Sequence, residues 1–266
     1  MNLNELSPIE YWLKDDELKN IYTSNLWNDE EIERKKQWWI LENDFNKLWK
    51  YLKSIKLYQD YIVSEKKIQN LIGNNSIIVD LAAGIGWTSA LLSKMDKVDK
   101  VHCIEISKHR LDLLFPKAVE MFDGKPKKLK RYIGSFYSTK FENEIADVVF
   151  MSQAFHHANE PSKLLKESYR ILKKDGVIIM IGEPAKNLFK IFKRFIDFII
   201  KNKKITLNFK ELFPPNETQG DHIHRLSDYY LMSKAEGFSC NTEKLPSGNY
   251  MFILKKNNFS SSQKNL

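Results

Sequence analysis

The chain is short of the residues that build covalent or metal frameworks. Among 266 residues there are two cysteines, Cys103 and Cys240. Two distant thiols exclude a disulfide scaffold and a zinc ribbon, and they suit a reducing compartment. Long apolar runs are also lacking, since none reaches the roughly 20 residues that a membrane span requires. The opening Met1-Asn2-Leu3-Asn4-Glu5 has neither a basic start nor an apolar stretch. No secretory signal is therefore expected, and the expected location is cytoplasmic. Glycine is scarce, at 10. No G-x-x-x-x-G-K-[ST] phosphate cradle occurs. Gly84-Ile85-Gly86 lacks the third glycine of a dinucleotide turn, because Ser89 stands in its place. No internal repeat is visible.

What is present is 42% apolar residue content, enough for one core with a substantial appendage. The net charge of +8 and pI near 9.2 allow an anionic partner. The lysines are spread along the chain beside many asparagines and isoleucines, so they form no single basic block.

Residues 1–72 are poor in glycine and read as helical. Asn28-Asp29-Glu30-Glu31 reads as a helix start, with acids in the first turn. From Glu31 to about Leu57, apolar residues recur at spacings of three and four, among them Trp38, Trp39, Leu48 and Leu52. This aromatic-rich segment either packs on the body or forms a lid that places Trp38 and Trp39 against a substrate. From residue 76 the pattern changes. Short apolar strands at 77–81, 100–105, 129–133, 146–151 and 176–182 alternate with helical stretches at 87–95, 107–122 and 160–173. That alternation predicts a doubly wound, mostly parallel α/β sheet with helices on both faces. A long amphipathic helix is expected over 185–204, a loop over 207–225, a helix over 227–236 capped by Gly237, and two closing strands at 238–245 and 249–255. The tail from Asn257 to Leu266 is polar and expected to be flexible.

The site signal begins at Ile77-Ile78-Val79-Asp80, a strand that ends in a carboxylate and meets a bare turn, Ala82 to Gly86. Such a turn at the C-terminal end of a parallel strand is where open α/β sheets bind nucleotides. Glu105, nineteen residues after Gly86 and at the end of the next strand, can accept hydrogen bonds from both ribose hydroxyls. Asp80 would repel a pyrophosphate and suits a ligand with an ammonium group.

In these features the chain resembles the class I S-adenosylmethionine-dependent methyltransferases, most of all the branch that methylates small molecules. The likeness is good over 76–182 and looser beyond. The family's first motif, roughly V-L-D-L-G-C-G-T-G, is matched by Val79-Asp80-Leu81-Ala82-Ala83-Gly84-Ile85-Gly86. Glu105 is the acid after the second strand, and Gly134-Ser135-Phe136 is the third motif. Asp147 to His157, with Ser152 inside it, is the fourth. Glu160 to Gly176 is the helix and turn before the fifth strand. The resemblance implies a seven-stranded Rossmann-like sheet and S-adenosylmethionine as cofactor. The cofactor would be held by Asp80, Ala82, Gly84, Gly86, Glu105, Ile106, Ser135, Phe136 and Ser152. It also implies five stretches: an appendage or lid at 1–72, a cofactor-binding core at 73–182, a helical cap and substrate loop at 183–226, a helix with the last two strands at 227–256, and the tail at 257–266. Two departures stand out. Ala82 replaces the family's first glycine, which reduces backbone freedom. Ser135 replaces the acid that receives the adenine amino group, which shifts adenine recognition toward apolar contacts from Phe136 and Ile106.

Methyl transfer from a sulfonium needs alignment more than acid chemistry, but a hydroxyl acceptor also needs a base with a pKa near the working pH. Histidine fits that need. His102 and His109 read as structural. His156 and His157, just past the fourth strand, and His222 and His224, in Gly220-Asp221-His222-Ile223-His224-Arg225, are the candidates. Glu183 and Asp221 are expected to touch substrate. Asp221, His222 and His224 could form a partial metal site, but that spacing is common and no metal is expected. The basic helix over 185–204 is read as a substrate cap, with contact to a membrane surface as the other reading.

The expected acceptor is a hydroxyl on a small polar or acidic metabolite, such as a sugar, a phosphorylated intermediate or a secondary metabolite. RNA or DNA methylation is disfavoured: Ser152-Gln153-Ala154-Phe155 is not the [DNS]-P-P-[YFW] used on base amines, and no RNA-binding module is visible. A non-catalytic cofactor-binding subunit is the third reading. Oligomeric state is not legible.

Overall fold

The computed structural model describes residues 2–21, 44–214 and 220–257. The expected helix start at Asn28, the tryptophans Trp38 and Trp39, and the tail beyond Asn257 lie outside these residues. The β-branched runs form strands as expected: β2 (Ser76–Leu81), β3 (Val98–Glu105), β4 (Leu129–Ile133), β5 (Ala146–Ser152) and β6 (Leu172–Glu183). All five are parallel, and β2 is sandwiched between β3 and β5. β9 (Phe238–Lys244) and β10 (Tyr250–Lys256) close the sheet, with β10 antiparallel to both β6 and β9. Ile78, Val79, Val148, Val149 and Phe150 have no exposed surface, as expected of strands covered on both faces. The expected turn at Asp175-Gly176 is absorbed into β6 as an irregularity, where Ala146 pairs Leu172 and Val148 already pairs Val177.

The sheet has eight strands where seven were expected, in the order β1-β4-β3-β2-β5-β6-β10-β9. The extra strand is β1 (Ile9–Tyr11), from a segment read as helical. It lies parallel to β4 and is held by more than its own pairing. The Arg131 guanidinium donates to the Ser7 carbonyl, and the Trp12 amide donates to the Ile133 carbonyl at 2.9 Å. The Trp12 ring is buried against Tyr132 and Phe141, with centroids at 4.5 and 4.8 Å. These contacts cover what would otherwise be an open sheet edge. Trp12 also lies against Gly134, where an added Cβ would come within 2.9 Å of the indole.

Helices α1 (Asp15–Lys19), α2 (Phe45–Ser54) and α3 (Leu57–Leu71) precede β2. Helices α4 (Trp87–Ser93) and α5 (Phe115–Met121) flank β3, with a π-helical turn at Arg110–Leu114 leading into α5. Helix α6 (Pro161–Ile171) precedes β6. After β6, the two-residue strands β7 (Ala185–Lys186) and β8 (His224–Arg225) pair with each other, bracketing α7 (Leu188–Asn202) and α8 (Phe209–Leu212), and α9 (Leu226–Ala235) follows. No helix among the described residues is long and apolar enough to cross a membrane.

The sheet order reverses direction at β2, so a crevice opens beyond the C-terminal ends of β2 and β5. The turn from β2 to α4 forms its floor. Ala82 sits at φ +58°, Gly84 at +58° and Gly86 at +78°. The two glycines serve different ends. A Cβ on Gly84 meets nothing nearer than Arg110 at 3.9 Å, so that position faces open space. A Cβ on Gly86 would lie 2.2 Å from the buried ring of Phe115. Gly86 therefore lets α4 and α5 pack closely. Gly86→Ala is expected to destabilise the protein by about 2–5 kcal/mol, through overpacking and left-handed strain. Ala82→Gly is expected to stabilise it by about 0.5–1 kcal/mol, because relief of the strain exceeds glycine's added chain entropy. Denaturant titration of both variants reads the two effects, and equal shifts would contradict this division of roles.

Candidate active site

The crevice is one cleft. Its floor is Ala82, Ala83, Gly84 and Ile85, one wall is Glu105, Ile106, Gly134, Ser135 and Phe136, and the other is Ser152, Gln153, Ala154 and His157. Of the residues expected to hold a cofactor, Ala82, Gly84, Glu105, Ile106, Ser135, Phe136 and Ser152 line it. Asp80 and Gly86 do not. Gly86 is turned to packing, as described above. Asp80 is wholly buried beneath the floor, where Ser89 Oγ donates to its Oδ2 at 2.5 Å. Its Oδ1 has no hydrogen-bond partner. Burial pushes its pKa up to about 7, against the hydrogen bond from Ser89 and helped by the nearby Glu105 charge.

Glu105 organises the mouth. Its Oε2 accepts from the Gly84 amide at 2.7 Å, and its Oε1 accepts from the amides of Ile106 and Ser107 at 2.8 and 2.9 Å. Oε2, with one amide donor, retains a second lone pair, so a ribose hydroxyl can add there without displacing these bonds. Above the floor, Leu48, Tyr51 and Leu52 of α2 and Leu57 of α3 cover the cleft. The helix expected as cap, α7, supplies none of the lining residues. After Glu183-Pro184 the chain pairs β7 with β8, and α7 follows β7. The cover thus comes from the N-terminal side. Tyr51, Arg110, Tyr137 and Gln153 also line the cleft and were not singled out in the sequence. For Gln153 the signal is conformational: it is held at φ +51°, unusual for a residue with a side chain.

Two histidine–carboxylate pairs stand side by side at the end of β5. His156 is buried, and its Nδ1 lies 2.9 Å from Glu183 Oε2. Glu183 has no exposed surface and accepts from the amides of Ala154, Phe155 and His156 at 2.8, 3.0 and 3.1 Å, and from Tyr229 Oη at 3.4 Å. The expectation that Glu183 touches substrate is therefore corrected: its oxygens are committed to the chain itself. Burial opposes the charge on each partner, yet their mutual attraction wins, so the His156 pKa is raised and that of Glu183 lowered. His157 stacks beside His156, with ring centroids 4.2 Å apart, and its Nδ1 faces Asp221 Oδ1 at 3.1 Å. Burial and the neighbouring His156 charge lower its pKa, against the pull of Asp221. His157 is thus the neutral imidazole of the two and the one on the cleft.

His222 and His224 are not on the cleft. His222 is tied by its amide to the His156 carbonyl at 2.7 Å, and its Nε2 lies 2.7 Å from Asn159 Oδ1. His224 packs against Phe155 and Tyr229. Burial lowers both pKa values. The loop from Asp221 to His224 therefore reaches the site through Asp221 alone. Donor atoms of His156, His157 and Asp221 lie within 4.8 Å of one another, which is a different set from the one the spacing suggested.

Comparison with known proteins follows the same residues. A methyltransferase domain model matches residues 79–180. The sarcosine/dimethylglycine N-methyltransferase of Aphanothece halophytica is 28% identical over 110 residues, 41% of this chain and 38% of that protein. The mitochondrial 2-methoxy-6-polyprenyl-1,4-benzoquinol methylase of Caenorhabditis elegans is 23% identical over 126 residues, 47% of this chain and 43% of that protein. The chain thus spans less than half the length of either relative. A solved SAM-dependent methyltransferase from Thermotoga maritima shares the fold with a TM-score of 0.52 at 14% identity, over 87% of this chain and 99% of that one.

The Glu183 network predicts a pH-dependent stability difference. Glu183→Gln keeps the shape and removes the charge, and it should cost about 2–4 kcal/mol. The raised His156 pKa contributes stability in full below its ordinary 6.5, lost as pH rises through the folded value. The lowered Glu183 pKa contributes above its ordinary 4.5, lost as pH falls through the folded value. Thermal melts of the two proteins should therefore differ most between these limits. A pH-independent gap would show that the pair is not ionic.

Proposed function

We propose, from the match of residues 79–180 to a methyltransferase-domain model, that this chain transfers a methyl group from S-adenosylmethionine to a hydroxyl of a small polar or acidic metabolite. The observation that carries this reading is the single cleft in which Glu105, the Gly84 turn and the Ser135-Phe136 wall meet a neutral His157. The fit to the cofactor rests on chemistry already present. Glu105 suits a ribose hydroxyl, Phe136 and Ile106 form an apolar adenine seat, and the carboxyl of Asp80 buried under the floor adds negative potential that suits the ammonium end. S-adenosylmethionine, when bound, supplies a methyl group on a positively charged sulfur, which an acceptor lone pair displaces in line. The protein's share is to align the acceptor and to take its proton. In the tautomer protonated at Nδ1, the nitrogen 3.1 Å from Asp221 Oδ1, His157 Nε2 carries the lone pair that receives this proton. His156 and Glu183 act as positioning residues, fixing the backbone that carries His157.

The acceptor class is supported by the polar side chains that share the cleft with its apolar walls, among them Arg110, Tyr137, Ser152 and Gln153. The names of the two curated relatives extend the panel to be tested, so sarcosine-like amines and quinols belong beside sugars and phosphorylated hydroxyl compounds.

Calorimetry with S-adenosylmethionine is the first test, and an absence of heat at millimolar cofactor would end this reading. With an acceptor found, His157→Ala is expected to lower kcat by about 10²–10⁴. The base must be neutral to act, and its pKa is depressed. Wild-type kcat/KM should therefore hold near neutrality and fall with acid through a midpoint below 6.5. His157→Ala should lose that limb, and an unchanged limb would move the base elsewhere.

Displacement at a sulfonium needs no Lewis acid, and His156 Nδ1 is already bonded to Glu183 Oε2 at 2.9 Å. Treatment with EDTA is accordingly expected to leave activity within about twofold. Loss on chelation, restored by one divalent cation, would assign these three residues to a metal instead.

A further inference from the structure

Helix α7 carries an apolar stripe that the described residues leave uncovered. Phe189, Phe192, Ile196 and Ile200, spaced by three and four, are 75%, 64%, 39% and 73% exposed. Ile205 and Leu207, just beyond the helix, continue the patch at 72% and 88%. The other side of α7 is anchored. Ile191, Phe195, Phe198 and Ile199 are half-buried, and Arg194 donates to the Leu212 carbonyl of α8 at 2.9 Å. The stripe is thus a held surface, and a contiguous apolar patch of this kind marks an interaction site.

Charge identifies what the stripe meets. Residues 185–204 hold seven lysines and arginines against the one acid Asp197, in a chain whose whole net charge is +8. The segment accounts for most of that excess, and the remainder of the protein is close to neutral. Lys193, Lys201 and Lys203 are exposed around the stripe. A second copy would bring two such cationic segments together, which repels. A nucleic acid would satisfy the lysines but leave phenyl and aliphatic groups facing phosphates. An anionic bilayer satisfies both. The apolar stripe enters the acyl boundary while the lysines reach up to the headgroups along their flexible stems.

We propose that α7 docks this protein on the surface of an anionic membrane, lying in the interface with Phe189, Phe192, Ile196 and Ile200 facing the acyl chains. The proposal does not depend on the methyl acceptor or on the base. None of these side chains lines the cleft.

Vesicle co-sedimentation tests it with the full chain. The vesicles are phosphatidylcholine alone, or phosphatidylcholine with 30% phosphatidylglycerol. Wild-type protein should pellet with the anionic vesicles at least tenfold more than with the neutral ones, and 1 M NaCl should largely release it. Lys193→Glu with Lys201→Glu should lower the partition coefficient by at least about fivefold per site. Phe192→Glu with Ile200→Glu should abolish pelleting. Unchanged binding of S-adenosylmethionine by calorimetry, or an unchanged melting temperature where that ligand gives no signal, shows that the variants are folded. Any of these results would overturn the proposal: no preference for anionic vesicles, equal pelleting of wild type and variants, or a concentration-dependent dimer in sedimentation velocity that Phe192→Glu dissolves. The last would give the stripe to a second copy. Retention on duplex DNA exceeding that on the vesicles would equally refute it.

Discussion

A carboxylate with no access to water holds the acceptor side of the cleft together. Burying the Glu183 charge costs several kcal/mol, and this is offset only because three consecutive amides, one imidazole and one phenol converge on it. Those three amides belong to the segment that leaves β5 and carries both histidines. Once Glu183 is seated, the path of residues 154–157 is fixed, and His157 has one place to be. The His156 carbonyl, turned outward by the same constraint, then captures the His222 amide and brings Asp221 to His157. The histidine presented on the surface of the cleft is thus placed by a buried histidine–carboxylate pair beneath it.

The cofactor side follows a different logic. Glu105 spends its charge on three backbone amides at the rim, which makes it both a brace for the turn and a ready acceptor for hydroxyls. Asp80, one layer down, keeps an unpartnered oxygen and a pKa lifted to about 7. Two carboxylates so close together are tolerated because one is solvated by amides and the other is close to neutral. A cationic group above the floor would lower that raised pKa and make both charges favourable at once.

Much of this was legible in the sequence because it depends on local periodicity and on residues at strand ends. The five parallel strands, the turn after β2, the acid at Glu105 and the His156–His157 pair after β5 all follow from pattern. What escaped was non-local. Three residues at Ile9–Tyr11 form a strand only because β4 offers an edge and Arg131 and Trp12 secure it. Glu183 looked like a substrate ligand, since its position after β6 is visible in sequence, but its partners Ala154 and Tyr229 are not. The same blindness made four histidines look equivalent, where burial and pairing single out His157. The basic helix over 185–204 was readable as amphipathic. Which half of its apolar arc is covered depended on how β7 and β8 pair.

The contact between Trp12 and Gly134 ties the first residues of the chain to the cleft, because Gly134 lines it while the indole closes the space behind it. Neither position can drift alone. A side chain at 134 demands a smaller ring at 12, and losing the ring at 12 opens a void behind the Gly134–Phe136 wall. Among natural variants of this protein the two sites should covary, tryptophan with glycine and a smaller residue with alanine or serine. Such a pairing, 122 positions apart in the chain, would be the evolutionary trace of an eighth strand that no local pattern records.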